Sequence, residues 1–465
     1  MREQDVTTTG AEGGDKALCE VLAERIKTKQ AHICIIGLGY VGLPLAVEFA
    51  RLGFRVNGVD IDASRVDRLR RGESYIPDVD GHLLAGLVAS DRLVASSTFR
   101  PVAESDVVFI CVPTPFTPMR TPDISHMVAA ANGILQFLHR GQLILLQSTT
   151  HPGTTEEDIL PILESGGLKA GTDFYLAFTP ERINPGDPVN TVATTPKVVG
   201  GLTPACSELA RLLLTHITDK VLVVSSPRTA EMSKLLENTF RSVNIALVNE
   251  LARLCERMGI DIWEVIRAAS TKPFGFMPFY PGPGVGGHCI PVDPYYLSWK
   301  AREYDFYTRF VELAAEVNQG MPYHVVTLIG RALGRLGKPL RGSSVLVLGV
   351  AFKKDIDDAR NSPAERIIEL LLEEGAVVSY NDPYVPEFTI GDDVFHRQRV
   401  SLRSVPLEEA LERHDCAVIV SGHSCYDYDL IVEKARLVVD TCNATGGVLG
   451  GRGKIIKLGA PTENK

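Results

Sequence analysis

The sequence predicts an α/β protein in which two open-sheet lobes flank a region of long helices. Short β-branched runs alternate with longer helix-like stretches from residue 31 to about residue 225, and the alternation returns after residue 337. Between the lobes the pattern is helical from residue 229 to about residue 258 and again up to about residue 336. The predicted domains are a polar N-terminal extension (1–30), a Rossmann-type doubly wound domain (31–225), a central long-helix domain (226–336), a Rossmann-like α/β domain (337–459) and a tail (460–465).

The predicted strands are short apolar runs, and their alternation with helices predicts parallel βαβ units. In the first lobe they span 32–36, 55–59, 107–112, 143–147, 174–178, 197–199 and 220–224. In the second lobe they span 344–348, 377–380, 417–420 and 437–439.

Composition narrows the possible partners of the chain. Its 465 residues carry a formal charge of −9, which argues against nucleic acid, because binding to a phosphate backbone needs clustered Lys and Arg. Neither a secretory signal nor a membrane-spanning stretch is apparent, so we expect a cytoplasmic protein with no membrane contact. The nine cysteines include no C-x-x-C pair, and several, such as Cys34 and Cys111, lie in apolar runs as small hydrophobes. We therefore expect no metal site and no disulfide framework.

A glycine-rich turn follows the first predicted strand. It has the pattern G-x-G-x-x-G and consists of Gly37, Leu38, Gly39, Tyr40, Val41 and Gly42. In such a turn the first glycine permits a tight bend, the second lets backbone approach a pyrophosphate, and the third packs helix against strand. The turn predicts a dinucleotide site.

The second predicted strand ends at Asp60, 18 residues beyond Gly42. A carboxylate at this place can bind the 2′-hydroxyl of an adenosine ribose and repels a 2′-phosphate, which predicts NAD as the cofactor. Arg65, in the next helix, either lies against the adenine or a phosphate or is an ordinary exposed arginine.

Two further strand ends carry candidate cofactor contacts. Pro113 and Thr114 follow the strand 107–112, and Ser148 and Thr149 follow the strand 143–147. Because ligands of open α/β sheets bind beyond the carboxyl ends of the strands, these residues either line the same crevice or form ordinary turns.

Two residues in irregular segments are candidates for covalent and acid–base chemistry. Cys289 follows Gly286, Gly287 and His288 in a loop between helices, where freed backbone amides can favour the nucleophilic thiolate. Glu181 lies just after the strand 174–178, where a partly desolvated carboxylate can act as a general base. The alternatives are an inert loop cysteine and a surface glutamate.

The long central helix has two different sides. Lys234, Asn238 and Arg241 fall within about 60° of each other at 100° per residue and form a polar stripe. The opposite side is apolar and predicts a buried seam, formed by Met232, Leu236, Val243 and Leu247.

Together these residues make the chain resemble the UDP-glucose/GDP-mannose dehydrogenase family from about residue 31 to residue 458, and most of all its members that act on UDP-N-acetylhexosamines. The resemblance is carried, in order, by residues 37–42, 111–115, Ser148 with Thr149, 180–182, Ser233 and Lys234 with Asn238, 281–289 with Asp293, and 349–355.

The resemblance implies oxidation of the C6 hydroxymethyl of a UDP-sugar to a carboxylate by two NAD. It implies that Cys289 attacks the C6 aldehyde, that Lys234 neutralises the oxyanion, and that Glu181 activates the hydrolytic water. Asp293, Asn238 and Thr149 would position water and charge. The implied contacts to the sugar nucleotide are Glu181, Arg182, Ile183, Lys234, Asn238, Arg241, Tyr280, Gly284, Gly286, Phe352 and Lys353, and Arg360 would reach NAD.

The resemblance also implies a homodimer, or a larger homo-oligomer, that forms through the central helix. UDP-N-acetylglucosamine is the expected substrate, and His288 fits the N-acetyl-sugar branch, whereas the loop 276–283 lacks the arginine of UDP-glucose enzymes. UDP-N-acetylmannosamine and UDP-glucose are the nearest alternatives. More distant alternatives are a two-electron dehydrogenase and an inactive nucleotide-sugar sensor.

Overall fold

A computed structural model of the chain describes residues 11–76, 79–115, 117, 121–183, 189–287, 290, 293–391 and 398–461. The chain divides into two compact units between Glu237 and Asn238, and the short segment Arg302–Tyr304 belongs to the first unit.

The first unit is built on an eight-stranded sheet. Its strands are β1 (His32–Ile36), β2 (Arg55–Val59), β3 (Leu93–Ser96), β4 (Val107–Ile110), β5 (Leu143–Leu146), β6 (Tyr175–Phe178), β7 (Lys197–Gly201) and β8 (Val221–Val224). They lie side by side in the order β3-β2-β1-β4-β5-β6-β7-β8. The first six positions have the order of a doubly wound dinucleotide-binding sheet, which confirms the predicted fold class.

Helices cover both faces of this sheet. They are α1 (Ala11–Lys27), α2 (Gly42–Arg51), α3 (Ala63–Arg70), α4 (Gly81–Ala89), α5 (Ser125–Leu135), α6 (Leu160–Glu164) and α7 (Pro204–Leu214). The central strands β4 and β5 are buried along their whole length, and separate apolar cores lie on the two sides of the sheet. Burial on both sides explains why these strands read as continuous apolar runs.

One pair of strands departs from the predicted parallel arrangement. β6 and β7 are antiparallel, whereas the other neighbours in the sheet are parallel. Because the pair is antiparallel, β7 starts at the edge of the sheet where β6 ends, and the described residues of the connection 179–196 form no helix.

The second unit holds a five-stranded parallel sheet and the rest of the helices. Its strands are β9 (Ser344–Leu348), β10 (Val377–Asn381), β11 (Glu387–Ile390), β12 (Val400–Arg403), β13 (Cys416–Ile419), β14 (Val438–Asp440) and β15 (Ile455–Lys457). The sheet order is β10-β9-β13-β14-β15, and β11 and β12 form a separate antiparallel ribbon. The helices are α8 (Pro227–Met258), which begins in the first unit, α9 (Ile262–Ala269), α10 (Asp293–Ala301), α11 (Arg309–Arg335), α12 (Pro363–Glu373), α13 (Leu407–Arg413) and α14 (Tyr428–Lys434). None of the helices in the described ranges has the length and apolar content that a bilayer crossing requires.

The predicted buried seam of α8 is wrong for the single chain. The apolar side is the more accessible one, with Met232 38%, Leu236 60% and Leu247 53% exposed and Val243 half-buried. Lys234 and Asn238, on the polar side, are buried. Helical periodicity identifies residues that share a face, but which face is covered depends on tertiary packing. The apolar side of α8 is therefore largely exposed in the single chain.

Candidate active site

The glycine turn has the geometry of a phosphate cradle. Gly37 has φ of 91°, and a Cβ on Gly42 would lie 1.8 Å from the carbonyl oxygen of Gly37, so both positions require glycine. A Cβ on Gly39, in contrast, would meet no described atom of another segment within 4 Å. α2 starts at Gly42. The residue at its N-cap position, Val41, has no side chain that could form a capping hydrogen bond. The open space beside Gly39, just before the N-terminus of α2, fits a pyrophosphate.

Asp60 is bound to the same turn. Its Oδ2 accepts a hydrogen bond from the Leu38 amide at 2.8 Å, and its Oδ1 accepts one from the Asp62 amide at 2.9 Å. Arg65 lies 3.5 Å from Oδ2 and 5.9 Å above the ring of Tyr75, whose hydroxyl donates to the Leu38 carbonyl. Asp60 and Arg65, both predicted, therefore lie beside the glycine turn, together with Tyr75, which was not predicted.

The ends of β4 and β5 are tied together by a side chain. The hydroxyl of Ser148 donates to the carbonyl of Val112 at 2.7 Å. This bond links the segment of Pro113 and Thr114 to the segment of Ser148 and Thr149. The two predicted groups of contacts therefore lie at one edge of the sheet.

Glu181 is paired with a buried lysine. Phe178 on β6 pairs with Gly200 on β7, and the two strands are antiparallel. Glu181, three residues after Phe178, therefore lies opposite Lys197, three residues before Gly200. The Lys197 Nζ lies 3.3 Å from Oε1 and 3.2 Å from Oε2 of Glu181, and Lys197 is 1% exposed. Because β7 runs antiparallel to β6, its first residue, Lys197, lies at the edge of the sheet where the parallel strands end.

The remaining contacts hold the Glu181 carboxylate in a fixed orientation. Oε1 accepts from the amides of Arg182 at 2.7 Å and Ile183 at 2.9 Å. Oε2 accepts from Nε2 of Gln147, whose Oε1 lies 3.6 Å from the thiol of Cys111. Glu181 is therefore the centre of a buried polar network and not a surface glutamate.

Arg182, a predicted substrate contact, is held within the first unit. Its guanidinium forms an ion pair with Glu237 at 2.7 Å and donates to the carbonyl of Pro196 at 3.0 Å. Ile183, beside it, is half-buried.

On α8, Asn238 donates a hydrogen bond from Nδ2 to Oδ2 of Asp293, and each residue is 3% exposed. The structure thus joins two residues that were predicted to act together. Lys234 lies one helical turn before Asn238 and is 8% exposed, whereas Arg241 is exposed.

The loop before Cys289 packs against the segment that follows β9. A Cβ on Gly286 would lie 2.7 Å from the Cβ of Phe352, and one on Gly287 would lie 2.9 Å from its ring. A Cβ on Gly284 would lie 3.3 Å from the side chain of Pro363. The structure therefore brings the predicted contacts Gly284, Gly286 and Phe352 into one cluster of the second unit.

Other predicted contacts of this unit lie nearby or have partners of their own. Tyr280 is 55% exposed and stacks on Trp263 with ring centroids 6.1 Å apart. Lys353 is half-buried, and the Arg360 guanidinium binds both carboxylate oxygens of Asp358, at 2.9 and 2.6 Å. Cys289 and His288, and residues 184–186 of the motif after Glu181, lie outside the described residues.

The buried cysteines have the properties of structural thiols. Burial raises the pKa of Cys34 to about 12 and that of Cys416 to about 12. Burial, together with the charge of Glu181, also raises the pKa of Cys111. Because only the thiolate is a strong nucleophile, these three thiols are inert at neutral pH.

Two polar residues of this site were missed from the sequence. Lys197 was overlooked because it begins a strand, and the first residue of a parallel strand lies at the edge opposite the ligand. Gln147 was included in the strand 143–147 and treated as part of an apolar run. The sequence feature that could have identified them is a polar side chain at the end of an apolar run, with Lys197 at the start of 197–199 and Gln147 at the end of 143–147.

An α/β sheet in this order, with a glycine turn before its first helix and an acid after its second strand, defines a dinucleotide-binding protein. The chain belongs to the UDP-glucose/GDP-mannose dehydrogenase family, whose NAD binding domain matches residues 31–218, central domain residues 228–320, and UDP binding domain residues 346–447. It is thus an NAD-dependent UDP-sugar dehydrogenase, which confirms the predicted enzyme class and cofactor.

Relatives with different sugar names resemble the chain to similar degrees. The chain is 37% identical to UDP-N-acetyl-D-glucosamine 6-dehydrogenase of Pseudomonas aeruginosa, over 85% of this chain and 91% of the relative. It is 33% identical to UDP-N-acetyl-D-mannosamine dehydrogenase of Methanococcus maripaludis, over 88% and 92%. The solved structure of a UDP-D-ManNAc dehydrogenase from Pyrococcus horikoshii is similar with a TM-score of 0.82 at 32% identity, covering 92% of this chain and 99% of that one.

Proposed function

We propose that the protein oxidises C6 of UDP-N-acetylglucosamine to the uronate in two NAD-dependent steps, through a thioester on Cys289. The observation that carries this proposal is the packing of Gly286 and Gly287 against Phe352, because these glycines precede Cys289 in the sequence and Phe352 belongs to the family's UDP binding domain. A two-electron dehydrogenase would need no nucleophile at that place.

In this mechanism the chain supplies a nucleophile, an oxyanion partner and a base. The glycine turn 37–42 and Asp60 would hold NAD, which would supply the hydride acceptor for each oxidation at C6. The thiolate of Cys289 adds to the C6 aldehyde, and Lys234 neutralises the negative charge on the former carbonyl oxygen. After the second oxidation Glu181 takes a proton from the water that attacks the thioester, while Asn238, Asp293 and Thr149 position water and charge.

The identity of the sugar is tested by measuring turnover of the three UDP-sugars side by side. We expect kcat/KM to be highest for UDP-N-acetylglucosamine, with UDP-N-acetylmannosamine second and UDP-glucose third, and two NADH formed per sugar. Higher kcat/KM for UDP-N-acetylmannosamine would transfer the assignment to that sugar.

Two other outcomes would replace the mechanism. A yield of one NADH per sugar would indicate a two-electron dehydrogenase without the thioester. Tight UDP-sugar binding without any NADH would indicate a sensor. The same proposal includes a cytoplasmic location and a homodimer through the exposed apolar side of α8, for which the mass in solution is the check.

Replacing Asp60 with alanine should raise KM for NAD and lower the preference for NAD over NADP at least about tenfold. The carboxylate that binds the ribose 2′-hydroxyl also repels a 2′-phosphate, so its removal affects both cofactors in opposite directions. Steady-state kinetics with each cofactor measures the ratio.

Asp67, an exposed acid of α3 that pairs with Arg70, offers the control Asp67→Ala. Because Asp60 also accepts the Leu38 amide, the melting temperature must be compared at the same time. An unchanged cofactor ratio in a folded Asp60→Ala protein would assign the ribose contact to another residue.

A further inference from the structure

Lys197 is a buried cation that the mechanism above does not use. It is 1% exposed, and removing an ammonium from water is costly unless an opposite charge lies close to it. Glu181 provides that charge at 3.2 Å, and the side chain of Glu181 is itself only 9% exposed. An apolar pair of similar volume usually stabilises a fold at least as well as a buried ion pair, so fold stability alone does not explain this one.

The Nζ of Lys197 bridges both oxygens of the carboxylate. Oε1 also receives two backbone amides, whereas Oε2 receives the side chain of Gln147. The amides and the ammonium can retain Oε1 while Oε2 accepts a proton from water, so the carboxylate keeps its orientation during the reaction.

We propose that Lys197 is a positioning residue that holds the Glu181 carboxylate oriented, beside a fixed positive charge, as the base for thioester hydrolysis. This proposal rests on the proposed function. An ammonium within about 4 Å of a carboxylate favours the ionised form over the neutral acid. The other titratable groups that face Glu181 do not replace it, because the guanidinium of Arg182 pairs with Glu237 and burial keeps the thiol of Cys111 neutral.

The step balances without a proton from Lys197. The water oxygen bonds to the thioester carbon, its proton moves to Oε2 of Glu181, and the carbon–sulfur bond breaks to release Cys289 as the thiolate. Glu181 then returns the proton to solvent. Throughout the step Lys197 contributes charge and orientation only.

The test measures thioester hydrolysis in a single turnover as a function of pH, separately from the NADH burst. In Lys197→Met we expect the acid limb of hydrolysis to move upward by about one pH unit or more, while the burst stays within about twofold of wild type. Lys197→Arg keeps the charge and should keep the limb at its wild-type pH. Lys169→Met is a matched control, because Lys169 is an exposed lysine that pairs with Glu164 in the same unit.

An acid limb that stays in place in Lys197→Met, or an equal loss in the burst and in hydrolysis, would overturn the proposal. If Lys197→Met does not fold, the double variant Glu181→Gln/Lys197→Met is compared with Glu181→Gln instead. The double variant leaves neither charge unpaired. The two should hydrolyse the thioester at rates within about twofold, and a further tenfold loss would show that Lys197 acts without Glu181. Absence of NADH from the wild-type protein would instead reject the proposed function itself.

Discussion

Cys289→Ser should lower the formation of uronate at least about a thousandfold. A serine hydroxyl is almost entirely protonated near neutral pH, so it adds to an aldehyde far more slowly than a thiolate does. The measurement is NADH formation together with the mass of the sugar product. Binding of UDP-sugar and NAD should persist, because the substitution changes one atom.

The control for this variant is Cys425→Ser, since Cys425 is an exposed cysteine of the same unit. It should keep wild-type turnover. If Cys289→Ser produced uronate at the wild-type rate, covalent catalysis by this residue would be refuted.

Glu181→Gln should separate the oxidations from the hydrolysis. The amide cannot accept a proton from water, whereas neither hydride transfer nor thioester formation requires the carboxylate. We expect a burst of about two NADH per site followed by slow turnover, and an intact mass that shows a thioester on Cys289. Rapid-mixing absorbance and quenched-sample mass spectrometry give the two readouts.

The variant also leaves Lys197 buried without its counter-charge, which costs on the order of 3 kcal/mol of folding stability. Its melting curve and its affinity for UDP-sugar must therefore be measured together with its rate. Glu164→Gln is the matched control, because it removes the half-buried carboxylate that pairs with the exposed Lys169. A slow first hydride transfer without a trapped intermediate would exclude Glu181 as the base and indicate Asp293 or Lys234.

The parts of the site that follow one another along the chain were predictable. A glycine turn after β1 and an acid after β2 are local patterns, and in the structure Asp60 accepts a hydrogen bond from the amide of Leu38, the residue after Gly37. In the same way, the strand ends that carry Thr114 and Ser148 were found because an apolar run stops there.

Features that depend on pairing at a distance were not predictable. β3 and β15 are short, and they are strands because a neighbouring edge accepts them, as in the pairs of Val56 with Leu93 and Val438 with Ile455. The direction of β7 depends on the path of the connection before it, and hydrophobic periodicity carries no information about that path. The pairing of Glu181 with Lys197 depends on this direction and was therefore not predicted either. For α8, the pattern identified two sides but assigned burial to the wrong one.

The reversed strand β7 has a consequence for how sugar preference can diverge among such enzymes. A parallel neighbour is reached through a crossover whose length is constrained by the width of the sheet, whereas an antiparallel neighbour needs only a loop at one edge. The connection over 179–196 leaves and rejoins the sheet at one edge, and it includes Glu181 and the two residues whose amides hold it, Arg182 and Ile183. Insertions, deletions and substitutions at its exposed residues, such as Val189 and Asn190, leave the strand order intact, because exposed connecting segments tolerate them. Under the proposed function, selection can therefore change residues near the sugar while the strands of the sheet keep their order.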